Sequence, residues 1–498
     1  GDWSSDVCSS DLNFQTDQTI EFIIQMFGIN ELGETCSIHV TDFHPFFYVK
    51  IPDDWTIRQK HVFKSQLTSK MGKQYQNCIF NISIVKKKKL YGFDGGKYYN
   101  FFKIEFKSFR AFNRAKNLWY NGFTDKYGEY KKKLIEEGLK INNQNLQLYE
   151  ANIPPLLKFF HTLNISPSGW IKIPVNKCIK NETRETTCTY EYTIRYNYIE
   201  SLPEKETPVP YKICSFDIEA NSSHGDFPLP VKNYKKLATN IVDAIKKNNI
   251  NENNIRPHLK KFIMSAFEFD YCENIDLIYT KRKIEENQLT LIIEKIIDSK
   301  VSLKSDQDAS GNDIYKMFSL NKRDEDEDEE TEAIYSTKNV CEGTHVIDLL
   351  LNDVYNREEK INELTKILNV SGLPKVKGDE VTFVGSTFIK CGESEPYLNH
   401  CIVLNGCTTP KDTKNCLIET YDTEKKLLLA WKNLIQKENP DIIIGYNIFG
   451  FDYEFMFRRA LENNCAYDFL QLSRNNDKRS EEHTSELQSP MYLVCRLL

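Results

Sequence analysis

Residues 213–219 read ICSFDIE, an apolar run interrupted by two acids. Side chains along a β-strand alternate between its faces, so Asp217 and Glu219 share one face while Cys214, Phe216 and Ile218 take the other. Neighbouring carboxylates repel, and burying them is costly unless a cation or hydrogen-bond donors compensate. The stretch reads as a buried strand whose acidic face raises the question of a bound metal ion.

The strand opens a unit near residue 211 whose other parts lie far downstream. VTFVGSTFIKCG (381–392) and CIVLNG (401–406) read as strands. From Glu424, EKKLLLAWKNLIQKEN places Leu427, Trp431, Leu434 and Ile435 on one helical face, and Asn439-Pro440 stops it. DIIIG follows as a short apolar strand, Gly445 to Gly450 form an irregular bend, and FDYEFMFRRALEN reads as another helix. Strands interleaved with helices predict an α/β or mixed-sheet domain.

A third acid enters with GYNIFGFDYEF (445–455). Taken singly, Asp452 suits a helix start, where it caps free amides and complements the dipole, and Asn447 is an ordinary turn residue. Together, Asp217, Glu219 and Asp452 would form an oxygen-rich pocket favouring Mg²⁺ or Mn²⁺ over zinc. Two such ions about 4 Å apart can hydrolyse a phosphodiester, one activating water and the other stabilising the departing 3′ oxygen. Spacing alone does not bring the three acids together.

Upstream, 13–205 alternates short apolar strands with turns: FHPFFYVKIPDDW (43–55), CIFNISIVKKKKLYGF (78–93), FFKIEFKS (101–108) and TCTYEYTIRYNYI (187–199). RAFNRAKNLWY (110–120) continues as a helix, and SLPEKETPVP marks a linker. This predicts a β-rich domain. Between the acidic strand and its downstream partners, 236–370 reads as an insertion of unassigned role. Residues 231–370 contain helix-like stretches at 233–248 and 289–300, and an acidic run, Asp324 to Glu330, that predicts a mobile loop.

Composition narrows the classes. The 498 residues include 65 basic and 71 acidic side chains, a net charge of −6, which gives no support to a globally basic nucleic-acid binder but permits a local groove. Lys86 to Lys89 and Lys131 to Lys133 read as solvated surface before phosphate contacts. Fourteen cysteines without a CxxC pair argue against both a disulfide scaffold and a structural zinc site, and a reducing compartment fits best. No stretch approaches 18 consecutive apolar residues, and no signal-peptide pattern opens the chain. Residues 1–12 (GDWSSDVCSSDL) and 479–498 (RSEEHTSELQSPMYLVCRLL) resemble translated adapter sequence and are set aside from the fold argument. The remainder, roughly 13–478, is expected to be an internal piece of a longer protein.

The ordered set FDIEA (216–220), HGDFPLP (224–230), VTFVGSTF and LLLAWKNLIQKENPDIIIGYNIFGFD resembles the 3′–5′ exonuclease region of family B DNA polymerases of the delta catalytic-subunit type. FHPFFYVKIP, FFKIEFKS and YEANIPPLLKFFHTLNISPSGWI resemble the amino-terminal domain of the same family. The resemblance spans most of 40–230 and 378–462, and the HGDFPLPVKNYKKLA continuation is more similar to representatives from large eukaryotic DNA viruses. It implies a β-rich amino-terminal domain at 13–205 that helps clamp template DNA. It also implies an RNase H-like exonuclease domain starting at 206–235, interrupted by the insertion and continued at 371–478.

The resemblance further implies roles. Asp217 would bind both of two Mg²⁺ or Mn²⁺ ions, Glu219 the nucleophile-side ion, and Asp452 would help hold the second. Asn447, Phe451 and Phe227 would shape the pocket for a single-stranded 3′ end. Implied partners are primer-template DNA and a replication clamp reached through other regions; the implied location is the nucleus or a viral replication compartment in the host cytoplasm. Two family features are not found in the text: a third exonuclease motif after Asp452, with Tyr followed three or four residues later by Asp, and the DxxSLYPS-type and YGDTD-type polymerase segments. The expectation is therefore a piece of a replicative DNA polymerase that carries its template-binding and proofreading regions without the polymerase site. The competing readings are a non-catalytic DNA-binding or structural module and a standalone nuclease.

Overall fold

A computed structural model describes residues 2–10, 21–89, 95–124, 130–301, 343–408 and 416–475. The amino-terminal region is β-rich, as its alternating apolar text predicts. Strands β1 (Asp2–Ser10), β2 (Ile23–Ile29) and β3 (Thr35–Thr41) pair antiparallel. The first of these lies within the stretch set aside as adapter-like, and its backbone is nonetheless in register with β2 from Ser4↔Ile29 to Ser10↔Ile23.

A second, four-stranded sheet is built from β4 (Phe46–Lys50), β5 (Ile79–Lys88) and β6 (Tyr98–Phe106), with two hairpins, β7 (Tyr120–Thr124) with β8 (Tyr130–Leu134) and β9 (Leu139–Ile141) with β10 (Gln144–Leu146), leading to its fourth strand, β11 (Leu148–Tyr149). Its inner face packs Phe47, Phe102 and Ile104 against α1 (Ile57–Met71) and α2 (Phe109–Lys116), which contribute Phe63, Leu67 and Phe112. Helix α3 (Pro155–Leu163) starts on a proline, which loses no helical hydrogen bond there. Strands β12 (Trp170–Lys172), β13 (Ile179–Lys180), β14 (Tyr190–Arg195) and β15 (Glu200–Ser201) complete the first sheet in the order β13-β14-β3-β2-β1-β12-β15.

The acidic stretch lies in β16 (Lys212–Asn221). Its partners are β17 (Glu380–Lys390), β18 (Leu398–Leu404), β19 (Cys416–Tyr421) and β20 (Ile442–Ile444), in the order β19-β18-β17-β16-β20. The pairing is mixed: β16–β17 and β17–β18 are antiparallel, whereas β18–β19 and β16–β20 are parallel. One face of this sheet buries Cys214, Phe216, Ile218, Val384 and Phe388 beneath α9 (Glu424–Glu438) and α10 (Asp452–Glu462). The expected helical stripe of Leu427, Trp431, Leu434 and Ile435 is all buried there, and the Trp431 indole N–H donates to Ser386 Oγ at 3.2 Å. The expectation of a buried strand holds for one face only: Ser215, Asp217 and Glu219 are exposed.

Between β16 and β17 the insertion has a core of its own. Helices α4 (Lys235–Lys247), α5 (Ile255–Ala266), α6 (Glu286–Ile297), α7 (Val346–Leu351) and α8 (Arg357–Val370) bury Ile241, Phe262, Ile293, Leu349 and Leu368 together. The Tyr234 hydroxyl donates to the Pro374 carbonyl, and Thr280 bridges Val376, so the two ends of the insertion meet beside the sheet. The acidic run Asp324–Glu330, expected to be a mobile loop, and residues 479–498 lie outside the described residues. Among the described residues, no helix is long and apolar enough to cross a membrane.

Candidate functional site

Parallel pairing of β20 with β16 sets Ile444 opposite Ser215, so the chain leaves the sheet beside the first acid. Gly445 makes that exit possible. A Cβ at this position would come within 2.9 Å of the Phe216 carbonyl oxygen and 2.2 Å of Ile448 Cγ2. The bend continues through Asn447 at φ 52°, a left-handed conformation that Asn tolerates better than most residues. The Asn447 carbonyl accepts from the N–H groups of Gly450 and Phe451, both at 3.0 Å, and this turn delivers Asp452 as the first residue of α10.

Asp452 does not act as a surface cap. It is only 2% exposed, no side-chain cap bond forms at this helix start, and its Oδ1 is buried without a hydrogen-bond partner. Burial pushes its carboxyl up to about 6; the Asp217 carboxylate adds in the same direction, while the backbone amides of Asp452 and Ile218 oppose it. Asp217 Oδ1 accepts from the Ile218 N–H at 3.0 Å. A strand and a helix start more than 200 residues apart thus put two carboxyl groups against each other.

Glu219 is exposed on the same strand face as Asp217, where the β16–β17 register shifts between Glu219 and Ala220. Its carbonyl accepts from Thr382 Oγ1 at 3.1 Å. Among the described residues, no group of three or more His, Cys, Asp or Glu side chains is gathered closely enough to hold a metal ion. Two of the three expected acids therefore meet, and the third stays in solvent nearby along the strand. The Asp452–Asp217 pair, all oxygen and with one buried oxygen unpartnered, suits a hard divalent cation.

The aromatic residues assigned to the strand-end pocket also come together in part. Phe227 is 72% exposed, and its ring centroid lies 5.7 Å from that of Phe451. The loop bearing Phe227 is pinned on its far side: Leu229 N–H donates to Asp379 Oδ2 at 2.8 Å, and Lys232 pairs with Asp379 at 2.6 Å. Asn447 is exposed, and its side chain lies against Gly450.

Sequence reasoning missed the network that holds α10 in place. Arg459 lies on the same buried face as Asp452, Phe455 and Met456, and donates to Glu424 through Nε at 2.9 Å and Nη2 at 2.6 Å. Its Nη1 reaches the Pro230 carbonyl at 3.0 Å and Glu462 at 3.1 Å, while Glu424 also accepts from the Val381 N–H at 2.8 Å and from Asn463 Nδ2 at 2.7 Å. One ion pair joins α9, α10, β17 and the Phe227 loop. The signal was present: Arg459 follows the apolar Phe455 and Met456 at helical spacing, and an Arg on a buried face calls for a buried acid.

Comparison with known proteins gives consistent results. The model for the DNA polymerase family B exonuclease domain matches residues 146–369 and 365–490, and that for the DNA polymerase delta catalytic subunit-like N-terminal domain matches 42–112. A DNA polymerase of Phaeocystis pouchetii virus is 38% identical over 476 residues, covering 92% of this chain and 45% of the relative. One from Pyramimonas orientalis virus is 28% identical over 479 residues, covering 93% and 36%. The DNA polymerase delta catalytic subunit of Dictyostelium discoideum is 27% identical over 263 residues, covering 51% and 22%. The chain spans less than half the length of these relatives.

Proposed function

The chain belongs to the family B DNA polymerases, with an RNase H-like exonuclease domain and a delta-like amino-terminal domain, and from that premise we propose that it supplies the template-binding and 3′–5′ proofreading parts of a replicative DNA polymerase. The observation that carries the proofreading reading is the buried Asp452 carboxyl set against Asp217 on the exposed face of β16. Asp217 and Asp452, joined by Glu219, would hold Mg²⁺ or Mn²⁺. When bound, such ions supply an activated water and charge stabilisation at the departing 3′ oxygen.

The chain's own residues do the rest. A mismatched primer end frays more readily than a paired one and presents itself as single strand. Phe227 and Phe451 offer ring faces to its terminal bases without reading their sequence. The Gly445–Gly450 bend fixes where Asp452 and Asn447 stand, and the Glu424–Arg459 pair holds that bend against the Phe227 loop. Hydrolysis would release one nucleoside monophosphate per event. Nucleotide addition and clamp contact belong to the whole polymerase, acting in the nucleus or a viral replication compartment.

A second reading, a DNA-binding module without hydrolysis, is favoured by one observation: the three acids do not form a closed metal cluster among the described residues. Incubating the chain with a 5′-labelled single strand and Mg²⁺ separates the two. Stepwise shortening from the 3′ end, lost with EDTA and in Asp217→Ala, supports proofreading. Binding of the strand with no shortening assigns this chain to the second reading.

A further inference from the structure

The face of the sheet β11-β4-β6-β5 opposite its core buries Phe46 and Phe101 and carries Glu105 at one end, while at its other end lysines and tyrosines gather. Residues that alternate with the core positions Phe47, Val49, Phe102 and Ile104 point outward, among them Tyr48, Lys50, Tyr99 and Lys103. Three ammonium groups converge on one ring: Lys50 and Lys89 each lie 4.7 Å from the centre of Tyr99, and Lys97 lies 5.4 Å from it. Lys89 also approaches Tyr149 at 5.9 Å, and Lys87 sits 5.6 Å over Tyr48. Among the described residues, none of Lys50, Lys87, Lys89 and Lys97 forms a salt bridge, whereas Lys103 is paired with Glu105. Among the described residues, Asp53 stands beside Lys50, and Glu150 acts on Tyr48 of the same face.

Like charges gathered this closely repel. Lys50 shows the effect: its ammonium is held below the usual lysine range, first by partial burial and then by Lys89 and Lys97, whereas Lys89, lowered by burial, is raised on balance by Tyr149, Lys50 and Tyr99. A polyanion relieves that repulsion, and drawing the ammonium groups onto its phosphates uncovers the ring faces they now occupy. Rings uncovered among cations suit unpaired bases, because a duplex keeps its bases stacked inside.

We propose that this face binds single-stranded DNA, with Lys50, Lys89 and Lys97 holding the phosphates and Tyr99 and Tyr149 stacking on bases. It deepens the template-binding reading given above and stands on a different sheet from Asp217 and Asp452.

The test is fluorescence anisotropy of the full 498-residue chain with a labelled oligothymidylate, in EDTA so that no strand is consumed. The combined change Lys50→Ala, Lys89→Ala and Lys97→Ala should weaken binding at least about tenfold at low salt and flatten the log–log salt slope by about 2. Tyr99→Ala with Tyr149→Ala should weaken the single strand about fivefold or more and leave a blunt duplex unchanged. Replacing the three lysines with arginine should preserve binding, and unchanged circular dichroism would show that the alanine variants fold. Unchanged affinity and slope in the lysine variant would overturn the proposal. Equal loss for duplex would overturn the choice of single strand, and tighter binding of an oligouridylate would overturn the choice of DNA. Asp217→Ala should retain lysine-dependent binding, so failure of hydrolysis and failure of this face are read separately.

Discussion

Asp452 is where burial and charge conflict most directly. Its folded carboxyl titrates near 6, above the ordinary carboxyl value of about 4, so the folded chain keeps this proton to a higher pH than the unfolded chain does. Folding stability therefore falls as pH rises from about 4 to about 6 and stays lowered above that. Asp452→Asn removes the penalty. In EDTA, denaturant unfolding at pH 7.5 should show the variant more stable by roughly 1–3 kcal/mol, and at pH 4 the two should coincide. Mn²⁺ should reverse the order by stabilising only the chain that keeps Asp452. Phe227 belongs to the same scale: being mostly exposed, Phe227→Ala should change stability by less than about 0.5 kcal/mol while weakening capture of a 3′ end in a strand-binding assay.

At the scale of elements, the site depends on how β20 hands the chain to α10. Gly445→Ala would force a Cβ against Phe216 and Ile448, shifting the bend that sets Asp452. The expected result is lower thermal stability together with loss of 3′ shortening, even though neither acid is changed. Arg459→Met should cost about 3–5 kcal/mol in denaturant unfolding, because Glu424 would be left buried and unpaired. These elements were legible to different degrees. The periodic helix at Glu424 and the alternating strand at 213–219 announced themselves, since each repeats one residue class at one spacing. The Glu424–Arg459 pair was legible from one side only: helical spacing puts Arg459 on the buried face, but nothing local names its acid 35 residues away. The strand at Cys416–Tyr421 escaped for a similar reason: its burial pattern is half-exposed throughout, so no apolar face stood out.

At the scale of the whole molecule, the insertion is the main surprise. Its sequence predicts helix-like stretches of unassigned role, and its described residues form a helical body with its own apolar core between β16 and β17. Helix periodicity is visible at α4 and α6, but the meeting of the five described helices is a tertiary fact that local spacing does not encode. Ile293→Ala, at a fully buried position in that core, should lower stability by about 2–5 kcal/mol. The site's own long-range fact was legible only by resemblance: composition and spacing suggested three acids, and the structure brings Asp217 and Asp452 together with Glu219 beside them in solvent. The most direct test is anomalous scattering from crystals of the chain soaked in Mn²⁺. A difference peak between the Asp217 and Asp452 carboxyl groups, with Glu219 drawn toward it, is the predicted result; no peak there, at full occupancy of Mn²⁺ elsewhere in the crystal, would contradict the hydrolytic centre.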